Sequence, residues 1–258
     1  MPKSPRFSPN AVRVIDVLTY PAVQLLDVTG PVQVFASAND LVAGAGGTPP
    51  YVLRVVAQAG EDIKSSAGVA LATGPLTKPG EALDTLLVAG GEGAEAAAEN
   101  PVLVEWVRQR AMQARRVASV CTGAFLLAAA GVLDGRRAAT HWKYCAKLAQ
   151  RFPAVHVEPD PIFVCDGAVW TSAGVTAGID LALALVEEGP QGNGKSYAPS
   201  RHASVSGLCV VAHRCTRVSF IASPMLVGPL FRHIPRHHLI RRWDGGRKCI
   251  EFLPLQYF

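Results

Sequence analysis

Cys121 lies in Arg116-Val117-Ala118-Ser119-Val120-Cys121-Thr122-Gly123-Ala124-Phe125-Leu126-Leu127, where a β-branched run meets an apolar one. A strand turning sharply into a helix at this point would hold the thiol above the carboxyl edge of a sheet. Ser119 and Gly123 leave room for the strained backbone that such a nucleophile elbow needs. A helix starting at Thr122 would aim its free N–H groups and positive dipole end at the sulfur and favour the thiolate. The competing reading is a free cysteine buried as a small hydrophobe.

Other residues could share that chemistry. Asp27, in Leu25-Leu26-Asp27-Val28-Thr29-Gly30-Pro31, follows the first strand at a helix start. Its loop emerges at the same sheet edge as Cys121. There a carboxylate could hold or relay the thiol proton; alone it would be a helix cap or a first-turn charge. Gly90 and Gly91 close a buried strand and could turn backbone N–H groups toward a developing oxyanion, or simply make a tight turn. Thr122 offers a hydroxyl and an N–H beside the sulfur. His141, before Trp142, is a candidate base or ligand-pocket residue, with a hydrogen-bonded structural histidine as the alternative.

Alternating strand and helix signals place these residues on a parallel sheet with crossover helices. Strands are expected at 12–18, 52–57, 85–88, 116–120 and 137–140, with shorter ones at 155–157 and 162–164. Asp166-Gly167 marks a hairpin into 169–171. Helices are expected from Thr29-Gly30-Pro31 onward, over 101–113, from Thr122 to Gly131, over 143–151, and from the Gly174–Asp180 stretch to Glu188. The sum is a doubly wound α/β domain of about 180 residues, whose ligands belong outside the carboxyl ends of the strands. Cys121, Gly90-Gly91 and His141 all fall at such ends.

The chain has 258 residues, 49% hydrophobic, and a formal charge of +5. That average hides two segments. Residues 1–188 hold fifteen Lys and Arg against eighteen Asp and Glu, whereas residues 189–258 hold ten against two, a net of +8. The opening residues lack the apolar core of a signal peptide, and no apolar run is long enough to cross a bilayer. A cytoplasmic location without a membrane partner is expected. The six cysteines (Cys121, Cys145, Cys165, Cys209, Cys215, Cys249) form no CxxC pair, so neither a disulfide framework nor a metal site is indicated. No cofactor is implied.

Two motifs in the basic segment carry little. Gly189-Pro190-Gln191-Gly192-Asn193-Gly194-Lys195-Ser196 matches the phosphate-loop pattern but follows a helix rather than a strand and precedes a poor helix start. Arg232-His233-Ile234-Pro235-Arg236-His237-His238 reads as a solvated basic stretch rather than a metal or nucleic-acid site.

Residues 11–188 resemble the ThiJ/PfpI superfamily, in the branch that contains isonitrile hydratases and the N-terminal sensing domains of AraC-type regulators. The resemblance rests on Leu26-Asp27-Val28-Thr29-Gly30-Pro31, Ser119-Val120-Cys121-Thr122-Gly123, Gly135-Arg136-Arg137-Ala138-Ala139-Thr140-His141-Trp142, Asp166-Gly167 and the stretch from Thr171 to Asp180. It implies a class I glutamine-amidotransferase-like, flavodoxin-type three-layer sandwich. It also implies Cys121 as nucleophile, assisted by Asp27 and Thr122. Peptidases of the superfamily carry a histidine directly after the cysteine; Thr122 stands there instead, so peptidase activity is not expected.

The wording around Pro159–Phe163 and Trp170–Gly174 is closer to the regulators. The first expectation is therefore an AraC-type sensing domain that binds a small molecule, dimerises, and lacks its DNA-binding half. DNA contact would be confined to that missing half or to weak, salt-sensitive attraction by the basic tail. The alternative is an isonitrile-hydratase-like enzyme; a third is a truncated protein with neither activity. After Glu188 no helix-turn-helix pattern is visible, which raises the hypothesis of a frame shift near residue 189. Translation of the gene in its other two frames tests it.

Overall fold

The structure, a computed structural model, describes residues 12–188, 240–244 and 247–251. These fall into two compact units, divided between residues 205 and 206. The first begins β1 (Arg13–Leu18), α1 (Leu25–Gly44), β2 (Tyr51–Ala57), β3 (Ile63–Lys64), β4 (Ala70–Leu71), β5 (Gly74–Pro75) and β6 (Thr85–Val88). Next come α2 (Ala94–Glu99), α3 (Pro101–Gln113), β7 (Arg116–Val120), a 3-10 turn at Cys121–Gly123, and α4 (Ala124–Ala129). It finishes with β8 (Arg137–Ala138), a 3-10 turn at Trp142–Tyr144, α5 (Cys145–Arg151), β9 (His156–Val157), β10 (Phe163–Asp166), β11 (Val169–Ser172) and α6 (Ala177–Glu187). In the second unit β12 (Ile240–Asp244) pairs antiparallel with β13 (Arg247–Glu251).

Seven strands form the main sheet in the order β10-β11-β7-β6-β1-β2-β5. Every neighbouring pair is parallel except the β10–β11 hairpin. Sheets covered on both faces use strands that are apolar throughout, and Thr85-Leu86-Leu87-Val88 is buried at all four positions. Alternation assigns the faces. Leu86, Val88 and Val117 enter one core with Leu103, Trp106 and Val107 of α3 and Phe125 and Leu126 of α4. On the opposite face α1 and α6 meet where Gly30 leaves space for Ile179, and Gly178 sits against the Val120 side chain. The fold is thus the expected α/β sandwich with a mainly parallel sheet.

Several charges buried in the sheet are paired. Asp16 accepts from Arg54 at 2.6 Å, Arg110 at 3.2 Å and Thr77 at 2.8 Å. Arg116, almost fully buried at the start of β7, reaches the carbonyl of Leu185 at 2.7 Å and the carboxylate of Glu188 at 2.8 Å, tying down the end of α6.

Several boundaries differ from the sequence reading. α1 starts at Leu25, four residues before Thr29, and Pro31 lies inside it. The missing Pro31 N–H only leaves the carbonyl of Asp27 without its helical partner. β8 is two residues long and pairs with β9 outside the main sheet, so His141 does not end a strand of that sheet. β3, β4 and β5 are too short to give a periodic signal. The phosphate-loop match at 189–196, the basic stretch at 232–238 and the suspected frame change lie outside the described residues. No described helix is long and apolar enough to cross a membrane.

Candidate functional site

Cys121 adopts φ +56°, a left-handed conformation costly for any residue with a Cβ. Its surroundings hold it there. The Cys121 N–H donates to the carbonyl of Ala173 at 2.8 Å, and the Thr140 hydroxyl donates to the Cys121 carbonyl at 2.9 Å. Gly123 makes the turn possible, since a Cβ there would lie 2.4 Å from the carbonyl oxygen of Val88. The other non-glycine residues with positive φ among those described are Ala22 and Val175. Both border the same site: Ala22 packs against Gly91, and the Val175 N–H hydrogen-bonds the Cys121 sulfur. Strain concentrated around one thiol marks a preorganised site.

Asp27, in the first turn of α1, is completely buried and lies beside Cys121, the two groups acting on each other's titration and both crowding Gly90. Its Oδ2 accepts the N–H of Gly90 at 3.2 Å, while Oδ1 has no partner among the described residues. Burial pushes the Asp27 carboxyl from 3.8 up to about 7, against the opposing pull of the Gly90 and Cys121 hydrogen bonds. The same burial, with the Asp27 charge adding to it, pushes the Cys121 thiol from 9.0 up to about 12. Hydrogen bonds from Thr122 and Val175 only partly oppose this.

The expected thiolate is therefore corrected. The elbow opens as a 3-10 turn, and α4 has only six residues. A helix end supplies at most about 2 kcal/mol, whereas the upward push on the thiol corresponds to roughly 4 kcal/mol. Burial and the Asp27 charge thus hold Cys121 toward the thiol form, with the buried Asp27 carboxyl beside it.

Thr122 is brought to the sulfur as expected, through its N–H and its hydroxyl. The hydroxyl also accepts the Gly91 N–H at 2.8 Å and reaches the Gly91 carbonyl at 2.9 Å. Its single proton thus serves either that carbonyl or the sulfur. Gly90 and Gly91 do line the site, but both of their N–H groups are engaged within it, by Asp27 and by Thr122. The backbone donors aimed at the sulfur belong instead to Thr122 and Val175.

His141 lies beside the 173–175 loop, where a Cβ on Gly174 would come within 2.6 Å of its ring. Its Nδ1 accepts the Lys143 N–H at 3.3 Å, and its ring stacks on Trp142. Burial and the nearby Lys143 charge lower its pKa. It borders the site without a hydrogen bond to Cys121 or Asp27.

Two site residues escaped the sequence reading. Val175 lay within a quoted motif, but its backbone role leaves no side-chain signal. Tyr20 follows β1, and its buried hydroxyl donates to the Ala89 carbonyl at 2.5 Å. A cavity of about 400 Å³ opens beside Tyr20, bordered by Thr19, Gln58, Ala97, Asn100 and Leu103. Among the described residues, no three His, Cys, Asp or Glu side chains gather as a metal-ligand set.

Residues 13–188 match the model of the DJ-1/PfpI family. The chain belongs to the DJ-1/PfpI family. An isonitrile hydratase of Pseudomonas putida is 38% identical over 174 residues, 67% of this chain and 71% of that protein. The HTH-type transcriptional regulator GlxA of Rhizobium meliloti is 33% identical over 162 residues, 60% of this chain but 48% of the regulator. The chain thus matches about half the length of that relative. The crystal structure of a ThiJ/PfpI family protein from Pseudomonas syringae superposes with a TM-score of 0.60 at 27% identity, covering 84% of this chain and 88% of the other. This DJ-1/PfpI domain accordingly has both enzyme and regulator homologues.

Proposed function

We propose that this DJ-1/PfpI domain is a small-molecule sensor of the AraC-regulator type, with the Cys121 elbow as its ligand pocket. One structural relationship carries the reading: β7 and α6 are joined at both ends. At the carboxyl edge, Gly178 of α6 packs against Val120, and Val175, just before α6, donates to the Cys121 sulfur. At the other edge, Arg116 of β7 grips Leu185 and Glu188 at the end of α6. A ligand that shifts the strained elbow therefore pushes on a helix anchored at the far side of the sheet. Regulator relatives such as GlxA support the same assignment. Dimerisation is part of the proposal through that relationship.

The test fills the pocket with a known occupant. Alkylation of Cys121 by iodoacetamide is expected to speed amide exchange along α6 as far as Glu187. Exchange changes confined to residues 119–124 would count against the sensor.

A second reading has its own observation, the burial of the Asp27 carboxyl and the Cys121 thiol side by side against Gly90. In an isonitrile-hydratase reaction, Asp27 would take the thiol proton as sulfur attacks the isonitrile carbon, then deliver it to that carbon, forming a thioimidate. Addition of water across the C=N bond and cleavage of the C–S bond would release the N-formamide and restore the thiol. Thr122 and Val175 would hold the sulfur while its charge develops. Incubation with an alkyl isonitrile, alongside Cys121→Ser, decides the matter. Formamide from the wild type alone establishes the enzyme; none from either protein removes this reading.

A further inference from the structure

The Tyr20 phenol and the Asp27 carboxylate contact opposite ends of one peptide unit. The Tyr20 hydroxyl donates to the Ala89 carbonyl at 2.5 Å, and the N–H of the same unit, on Gly90, donates to Asp27 Oδ2 at 3.2 Å. We propose that Tyr20 is a positioning residue for the Asp27–Cys121 pair, holding and polarising the single peptide group that orients the carboxylate. This rests on reading Asp27 and Cys121 as one proton-sharing pair.

The chain of bonds runs from phenol to carbonyl, through the amide to Gly90 N–H, to the carboxylate, and on to the thiol. A donor on the carbonyl oxygen draws electrons through the amide and makes its N–H a stronger donor, as hydrogen bonds in series do. In a buried site this matters more than in water, because the carboxylate has few other partners. Among the described residues, Gly90 supplies the one backbone N–H that the Asp27 carboxylate accepts, and Oδ1 has none.

The geometry around the unit is built for the purpose. The Gly90 carbonyl is fixed by the Gln24 N–H at 2.8 Å. A Cβ on Gly90 would strike Thr122, Asp27 and Cys121 at once, so only glycine lets the peptide sit between them. Tyr20 is 2% exposed, so water does not compete for the Ala89 carbonyl. The titratable groups that act across this site are Tyr20, Asp27 and Cys121 themselves. Of the elements packed on α1, α6 brings Asp180, which is governed by its own burial and does not act on Asp27. Among the described residues, no Lys or Arg acts on the Asp27 carboxyl.

The experiment is a ¹³C NMR titration of full-length protein labelled at the aspartate carboxyl carbon, with the Asp27 signal assigned by its absence in Asp27→Asn. Wild-type Asp27 is expected to titrate at about 7. Tyr20→Phe should raise that midpoint by roughly half a pH unit. Placing 3-fluorotyrosine at position 20, a more acidic phenol with unchanged packing, should lower it. The fluorinated protein also keeps the test alive should Tyr20→Phe fail to fold. Shifts of opposite sign establish positioning through the peptide. A wild-type midpoint near 7 that neither change moves, or that both move the same way, overturns the role of Tyr20 and leaves the pair intact. A wild-type midpoint in the ordinary carboxylate range overturns the pair, and the role of Tyr20 with it.

Discussion

Gly90 and Cys121 meet with no space for another carbon: a Cβ on Gly90 would lie 2.8 Å from the Cβ of Cys121. It would also lie 2.6 Å from the Thr122 nitrogen and 2.8 Å from Asp27 Oδ2. Two of these three neighbours belong to a strained turn that has no freedom to retreat. Gly90→Ala is therefore expected to cost about 1–3 kcal/mol in urea denaturation, as overpacking does, and to slow alkylation of Cys121. Wild-type stability together with a wild-type rate would show that the elbow is looser than described.

Asp27 sets a pH dependence of stability. Its carboxyl titrates at about 7 in the folded protein, above its ordinary 3.8, so the native state binds this proton more tightly than the unfolded chain. That contribution is full below pH 3.8, shrinks as the pH rises, and is lost above about 7. Asp27→Asn carries no charge at any pH. Relative to wild type, it should gain about 2–3 kcal/mol between pH 5 and pH 8. Parallel stability curves for the two proteins over that range would contradict the raised carboxyl.

Arg116 ties the start of β7 to the end of α6. Removing a buried guanidinium leaves the Thr85 hydroxyl, the Leu185 carbonyl and the Glu188 carboxylate without it. Arg116→Ala is expected to destabilise the domain by roughly 2–4 kcal/mol. It should also weaken the response of α6 exchange to alkylation of Cys121. An unchanged response would mean that the two edges of the sheet are not mechanically joined.

Much of this arrangement is legible in the sequence, because strands buried on both faces are apolar throughout and the elbow needs its small neighbours. Asp27, Thr122 and Cys121 are readable as side chains with chemistry, and all three converge. What stays hidden is carried by the backbone or by the environment. The Val175 N–H and the Ala89–Gly90 peptide have no side-chain signature. The thiol's resting state depends on burial and on a carboxylate ninety-four positions away in sequence, so a helix-dipole argument from local residues gives the wrong sign. Tyr20 reads as an ordinary aromatic after a strand until the fold sets its hydroxyl on Ala89.

The pairing of Asp27 with Cys121 is the central claim, and the pH profile of Cys121 alkylation tests it most directly. Carboxamidomethylation of the Cys121 peptide, followed by mass spectrometry from pH 5 to pH 9, should rise in the wild type with a midpoint of about 7, as Asp27 becomes able to accept the thiol proton. Asp27→Asn should abolish that step and keep the slow rate that the wild type shows at pH 5 across the range. A wild-type profile that Asp27→Asn leaves unchanged would contradict the pair.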